Sequence, residues 1–258
     1  MRISAVIITF NEEKNIERCI KSLLLFADEI IVVDSFSTDK TEEICRSFPQ
    51  VKFYQNKWLG YSEQKNYANS LASFDNVFSI DADEEVSEKL KDSICYLKKQ
   101  YESLEILNTV FSVNRLTNYC GKWIHHSGWY PDKKIRFFPK NIKWKGDIHE
   151  ILELPPDIKV IKLKGDLNHY TVYNTVDHLK QLDKFTTIAS KELFNKGKKV
   201  NYFDISIRPQ WRFFRDYLLK LGFLDGYAGY QICKISSFAT FLKYAKLKEL
   251  RKNLRNEK

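Results

Sequence analysis

The chain has 258 residues, 43% of them hydrophobic and 29% charged, which is apolar enough for one sizeable α/β domain plus an appendage and too apolar for global disorder. No apolar run is long and uncharged enough to span a bilayer, and the five cysteines (Cys19, Cys45, Cys95, Cys120, Cys233) are odd in number, scattered and without a C-x-x-C pair, which fits a reduced cytosolic protein without a zinc site. The net charge of +9 is uneven: Ser206 to Lys258 holds twelve Lys/Arg against four Asp/Glu, so this tail carries +8 and the first 205 residues are close to neutral.

The chain enters directly at "ISAVIITF", without a basic start or a small-residue cleavage site. Ile3–Phe10 therefore reads as a first strand, not a signal peptide. Its β-branched apolar run suits a strand buried on both faces. Asn11 is a cap candidate for a helix whose apolar positions are Ile16, Cys19, Ile20, Leu23 and Leu24. "EIIVVD" is a second buried strand ending at Asp34, and "SFSTDKTEEIC" opens a helix with Ser37, Thr38 and Asp39 as cap candidates. "VKFY" is a third strand, "YSEQKNYANSLA" a helix, "NVFSI" a fourth strand, and "SEKLKDSICYLKKQY" a helix capped by Ser87. This alternation argues for βαβ units and a mainly parallel sheet flanked by helices.

Val110 to Leu163 is aromatic and polar, with short strand-like pieces. "YNTVDHLKQLDKFTTIASKELFNKG" reads as a helix capped by Asn174 or Thr175 and stopped at Gly197. "RPQWRFFRDYLLKLG" reads as another, with Pro209 in its first turn, and the last forty or so residues are helical and basic. The pattern divides the chain into an α/β domain over 1–200 and a basic amphipathic helical extension over 201–258.

The stretch "NVFSIDADEEV" places four carboxylates, Asp81, Asp83, Glu84 and Glu85, at the end of an apolar strand. Such groups are costly there unless something positive pairs with them. D-x-D after a hydrophobic strand suits Mg²⁺ or Mn²⁺, which take one or two protein carboxylates together with substrate phosphates. Ligands of parallel α/β sheets bind at the carboxyl ends of the strands. Thr9, Asn11, Asp34 and the Asp81/Asp83 pair all sit there, after three different strands, and together point to a site.

Four segments, "AVIITFNEEKNIERCIKSL", "EIIVVDSFSTDKT", "QKNYA" and "IDADEE", resemble the family-two glycosyltransferases, which have the GT-A fold. "GWYPDKKIRFFP", "WKGDIHE" and "LGFLDGYAGY" are similar to the branch containing the lipopolysaccharide-core β-1,4-glucosyltransferases. The likeness covers most of the chain, to about Leu250. It implies that Thr9, Asn11 and Glu12 line a nucleotide pocket, that Asp34 contacts the base and that Lys65 approaches the nucleotide. Asp81 matches the ribose or metal side of D-x-D, Asp83 the metal ligand, and His169 either completes the metal site or is a packed or surface histidine. An acceptor hydroxyl must lose its proton as it attacks, and a positioned carboxylate does this well. Glu150 in "WKGDIHE" is the first candidate for that base and Asp147 the second; His149 orients the carboxylate or contacts phosphate. His125 and His126 read as loop residues. Lys133 and Arg136 contact an anionic donor or acceptor, or else form a solvated basic face.

In the tail, Trp211, Phe213, Phe214, Tyr217 and Leu218 alternate with Arg212, Arg215 and Lys220. Basic amphipathic helices of this kind suit an anionic membrane surface. Nucleic acid is the rival partner, but no nucleic-acid motif is present. The expected protein is a metal-dependent inverting transferase, moving a hexose such as glucose from a UDP-sugar to a cell-surface glycan or lipid-linked acceptor such as lipopolysaccharide core. It would act in the cytoplasm on the inner face of the membrane. A nucleotidyltransferase on a similar sheet is one alternative, weakened by the missing glycine-rich loop after Ile3–Phe10. A non-catalytic nucleotide-binding or membrane-adaptor protein is the other.

Overall fold

The computed structural model describes residues 1–100, 108–146 and 150–256. In its first half, β1 (Ile3–Thr9), β2 (Glu29–Asp34), β3 (Val51–Gln55) and β4 (Asn76–Asp81) alternate with α1 (Ile16–Leu23), α2 (Thr41–Arg46) and α3 (Tyr61–Ser70). β5 (Glu84–Val86) and α4 (Glu88–Gln100) follow. Then come β6 (Thr109–Tyr119), β7 (Lys122–Trp123), β8 (Asp132–Pro139), β9 (Trp144–Lys145), β10 (Ile151–Leu152) and β11 (Lys159–Val172). The C-terminal part is helical: α5 (Thr175–Asn195), α6 (Arg208–Phe214) between two π-helical turns (Phe203–Ile207 and Arg215–Leu219), a 3₁₀ turn (Gly222–Asp225) and α7 (Gly226–Asn256).

The sheet order is β3-β2-β1-β4-β8-β6-β11-β5. β3, β2, β1 and β4 pair in parallel, as the strand–helix alternation predicts. β8 then joins β4 antiparallel, β6 joins β8 antiparallel, and β5 closes antiparallel on β11. Side chains alternate along the central strands and feed two cores. Ile3, Ala5 and Ile7 of β1 pack with Ile16, Cys19, Ile20 and Leu23 of α1 on one face. Val6, Ile31 and Val33 pack with Ala68, Val77 and Trp144 on the other. A parallel sheet covered on both faces requires this double burial.

Two local expectations change. Asn11 does not cap α1; it has a φ of 55°, its backbone N–H donates to Ser37 Oγ (2.8 Å) and its side-chain oxygen accepts from Thr38 N–H (2.8 Å). The short polar side chain tolerates this left-handed conformation and ties the loop after β1 to the loop after β2. Leu24 lies beyond the end of α1 and is exposed. By contrast, Asn174 caps α5, accepting from Asp177 N–H at 3.0 Å.

The chain forms two compact units: Met1–Arg115 with Asp132–Tyr170, and Leu116–Pro131 with Thr171–Lys258. The helix α5, which the sequence pattern groups with residues 1–200, belongs with the C-terminal helices, because Lys246 of α7 binds Asp183 Oδ1 (2.7 Å) and the Thr187 hydroxyl (2.6 Å). The second unit has its own core of Tyr119, Ile124, Val172 and Ile232. Within it the Tyr119 hydroxyl meets His178 Nδ1 at 3.1 Å, and Asp225 accepts from the backbone N–H of both His125 and His126.

One glycine fixes the approach of β11. Gly165 has a φ of 97°, and a Cβ there would lie 2.3 Å from the Leu90 backbone nitrogen. Neither the backbone conformation nor the space admits a side chain. Gly165→Ala should therefore destabilise the first unit by about 2–4 kcal/mol. A lowered melting temperature and lost β11 amide protection in hydrogen exchange would show it; a melting curve matching the parent's would refute it.

Candidate active site

The site is assembled within the first unit at the carboxyl end of the parallel strands. β4 ends at Asp81, and a two-residue turn brings Asp83 and then β5. β5 pairs with β11 so that Glu84 stands opposite His169, and the backbone N–H of Tyr170 donates to the Asp83 carbonyl at 2.9 Å. This pairing delivers His169, distant in sequence, to the D-x-D turn. His169 Nε2 lies 3.1 Å from Asp83 Oδ2.

The four carboxylates are not partnered alike. Asp81 Oδ2 accepts from Arg136 at 2.7 Å, and Asp81 Oδ1 is 3.1 Å from Lys65 Nζ. The same guanidinium nitrogen of Arg136 donates to Glu84 Oε1 at 2.6 Å, while Glu84 Oε2 accepts the Asp81 backbone N–H at 3.1 Å. Glu84 is fully buried and Arg136 is 3% exposed. Glu85 accepts from the Tyr170 hydroxyl at 2.8 Å. Burial opposes ionisation of Asp81, but the charges of Arg136 and Lys65 outweigh it and hold the carboxyl well below its ordinary range. Arg136 is therefore not on a solvated basic face, and it is too enclosed to meet substrate directly. Its place on β8, between Ile135 and Phe137, turns it into the core.

Lys65 comes from α3, is 3% exposed and lies 4.7 Å from the centre of the Trp144 ring. Its ammonium reaches Glu150 Oε1 at 2.9 Å as well as Asp81. Glu150 is thus joined to the D-x-D turn through a single cation. Asp147 and His149 lie outside the described residues.

On the β1 side, Thr9 is buried and its hydroxyl oxygen has no hydrogen-bond partner among the described residues. Burial pushes Glu12 up to about 7, the hydrogen bond from Asn15 Nδ2 (2.7 Å) opposes this, and the charge of Asp83 adds to the rise. Asp34 is fully buried; its carboxylate accepts the backbone N–H of Ser37 at 2.8 Å and holds the turn after β2. Tyr61, the first residue of α3, was not singled out in the sequence. Burial and then the charges of Glu150 and Asp81 push its phenol up, which places it beside the site. Its "GYSEQK" context carries no motif that would have flagged it.

Whether a divalent cation suits these residues can be tested on the Asp83–His169 pair. Two ligand atoms bound side by side at about 2.1 Å from one octahedral ion lie roughly 3 Å apart, which matches the observed separation. Among the described residues no cluster of three His, Cys, Asp or Glu side chains is arranged to hold a metal. The protein thus offers one oxygen and one nitrogen, and the other positions would fall to substrate oxygens and water.

Comparison with known proteins adds an independent line. Residues 4–151 match the sequence profile described as Glycosyl transferase family 2. An uncharacterised glycosyltransferase of Rickettsia typhi is 31% identical over 264 residues, covering 99% of this chain and 89% of that protein. The lipopolysaccharide core biosynthesis glycosyltransferase LpsC of Rhizobium meliloti is 26% identical, covering 95% of this chain and 91% of LpsC. Among solved structures, S. aureus TarS 1–349 in complex with UDP-GlcNAc superposes with a TM-score of 0.49 at 16% identity, covering 98% of this chain and 92% of TarS.

Replacing Arg136 with Gln should strand the Glu84 carboxylate in the core and cost about 3–5 kcal/mol. For Asp81 the sign follows from its lowered pKa: its stabilisation is present above the ordinary value of 3.8 and is lost as pH falls below it. The stability gap between parent and Arg136→Gln should therefore be widest near neutrality and narrow below pH 3.8, as read by denaturant midpoints across pH; a gap independent of pH would contradict the ion network.

Proposed function

The chain belongs to glycosyl transferase family 2, and from that premise we propose that this GT-A enzyme transfers a sugar from a UDP-sugar to a cell-surface glycan or lipid-linked acceptor, with inversion at the anomeric carbon. The observation that carries the reading is the convergence of Asp83, His169, Asp81, Lys65 and Glu150 on one turn at the end of β4. The similarity to LpsC, a lipopolysaccharide core biosynthesis glycosyltransferase, supports lipopolysaccharide core as the acceptor class; a hexose such as glucose is the sugar we propose.

In this reading Thr9, Asn11 and Glu12 line the nucleotide side of the pocket. Asp34 shapes the base side through the turn it holds. Asp83 and His169 would hold Mg²⁺ or Mn²⁺, which when bound would neutralise the diphosphate leaving group. Asp81 is kept ionised by Arg136 and Lys65, so it would meet the ribose, or face the metal side of the site, as a fixed negative charge. Arg136 acts on the donor only through Asp81.

Glu150 takes the proton of the acceptor hydroxyl. Lys65 aims its carboxylate, since one oxygen is held at 2.9 Å and the other is left for the acceptor. When Glu150 gains the proton it loses its attraction for Lys65, and the ammonium then turns wholly to Asp81. Asp147 stands three residues upstream as the second candidate for the same role. Transfer chemistry belongs to the first unit, which holds all the site residues named above. The 201–258 extension rests on the anionic inner face of the cytoplasmic membrane, a placement supported by the charge of +8 over Ser206–Lys258 and by exposed Trp211 and Phe214. Among the described residues no helix is long and apolar enough to cross a membrane, so contact by this region would be with the surface.

Two measurements test the reading. Calorimetry with UDP and Mn²⁺ should give metal-dependent binding that Asp83→Ala abolishes; undiminished metal-dependent affinity in that variant removes Asp83 from the metal. Glu150→Gln should bind the donor normally and lose about 100- to 10,000-fold in transfer rate. Should Glu150→Gln transfer normally while Asp147→Asn does not, the base is Asp147.

A further inference from the structure

Within the second unit, α6 and α7 bring cations together in excess of their acids. Arg208 and Arg212 are one helical turn apart and share a face. Each reaches an almost fully buried carboxylate: Arg208 Nε meets Asp204 Oδ1 at 2.7 Å, and Arg212 Nε pairs with Asp216. The same two acids also face Lys198, Arg215 and Lys220. Lys243 of α7 makes no ion pair among the described residues.

The helices meet at this point, where Ser237 Oγ donates to the Pro209 carbonyl at 2.7 Å. Arg208 Cζ is 5.8 Å and Lys243 Nζ 4.7 Å from the centre of the Tyr244 ring. Burial lowers the pKa of Lys243, the charges of Arg208 and Arg212 lower it further, and that of Asp204 opposes them. Such a surplus of half-exposed positive charge is relieved by an anion.

The rim of the cluster is apolar and exposed. Arg208 stands 5.6 Å from the ring centre of Phe203, which is 52% exposed. Trp211, 53% exposed, stacks on Phe214 with centroids 5.7 Å apart. Cations ringed by exposed aromatics match a lipid–water interface, where rings sit at headgroup depth and long basic side chains reach phosphate.

We propose that Arg208, Arg212 and Lys243 bind the phosphate of an anionic phospholipid headgroup while Trp211 and Phe214 enter the adjoining acyl boundary, giving the second unit a defined membrane-docking site. This rests on the membrane reading above and sharpens it from diffuse charge to three named cations.

The test is co-sedimentation of the full chain with vesicles of phosphatidylglycerol or phosphatidylcholine. Lys243→Gln is the main variant because it strands no buried acid, unlike changes at either arginine. It should weaken binding to phosphatidylglycerol about fivefold, and Lys243→Glu, which would pair with the arginines, should weaken it more. Lys248→Gln, an exposed lysine of the same helix, should leave binding unchanged. Trp211→Ser should weaken the binding that survives at high salt. Equal losses for Lys243→Gln and Lys248→Gln would overturn the site and leave a diffuse membrane contact standing. No preference for phosphatidylglycerol over phosphatidylcholine would overturn both. Inorganic phosphate should displace the protein no better than chloride at equal ionic strength; stronger displacement would assign the cluster to free phosphate and overturn the headgroup assignment.

Discussion

Arg136 reaches from the antiparallel strand β8 to the end of β4, where one guanidinium nitrogen meets Asp81 at 2.7 Å and Glu84 at 2.6 Å. An apolar strand can end in "DADEE" only because this cation is there. Glu84 has no access to water, and without a partner it would not stay charged in the core. Because Arg136 is planar and always protonated, it holds both acids at fixed positions with one group. The geometry of the D-x-D turn, and through β5 the register that presents His169, depends on that contact.

A second cation, Lys65, divides the remaining labour. It is shared between Asp81 at 3.1 Å and Glu150 at 2.9 Å, and so links the end of β4 to the segment between β9 and β10. The four acids of the turn are consequently not equivalent. Asp81 is balanced by two cations, Glu84 by Arg136 and more distantly Arg115, Glu85 is hydrogen-bonded to Tyr170, and Asp83 stands beside His169.

In the second unit buried acids serve another purpose. Asp204 and Asp216 each anchor several basic side chains at the surface. Pinning an arginine by its Nε limits its rotamers, which lowers the entropic cost of any further contact it makes. The aromatic side chains between them are too exposed to be a core.

The strand–helix alternation, the parallel set β1–β4 and the cap of α5 were legible in the sequence, because periodicity and capping are local and depend on neighbours a few residues apart. So was family membership, carried by "IITFNEE", "VVDSFSTD" and "IDADEE". The residue types gathered at the strand ends were legible as well. What they touch was not. Arg136 read equally as a ligand contact or a solvated charge, and only its place between β4 and β6 turned it into the partner of two acids 52 and 55 residues away. Asn11 read as a helix cap and instead stitches two loops, since its partners lie 26 and 27 residues away. Tyr61 carried no signal at all. Sequence by itself determined the elements and the chemistry available, because those are set by local pattern and side-chain type. Tertiary structure decided which charge meets which, because a 2.7 Å contact across a sheet depends on strand order and register, and neither is written in any short stretch of the chain.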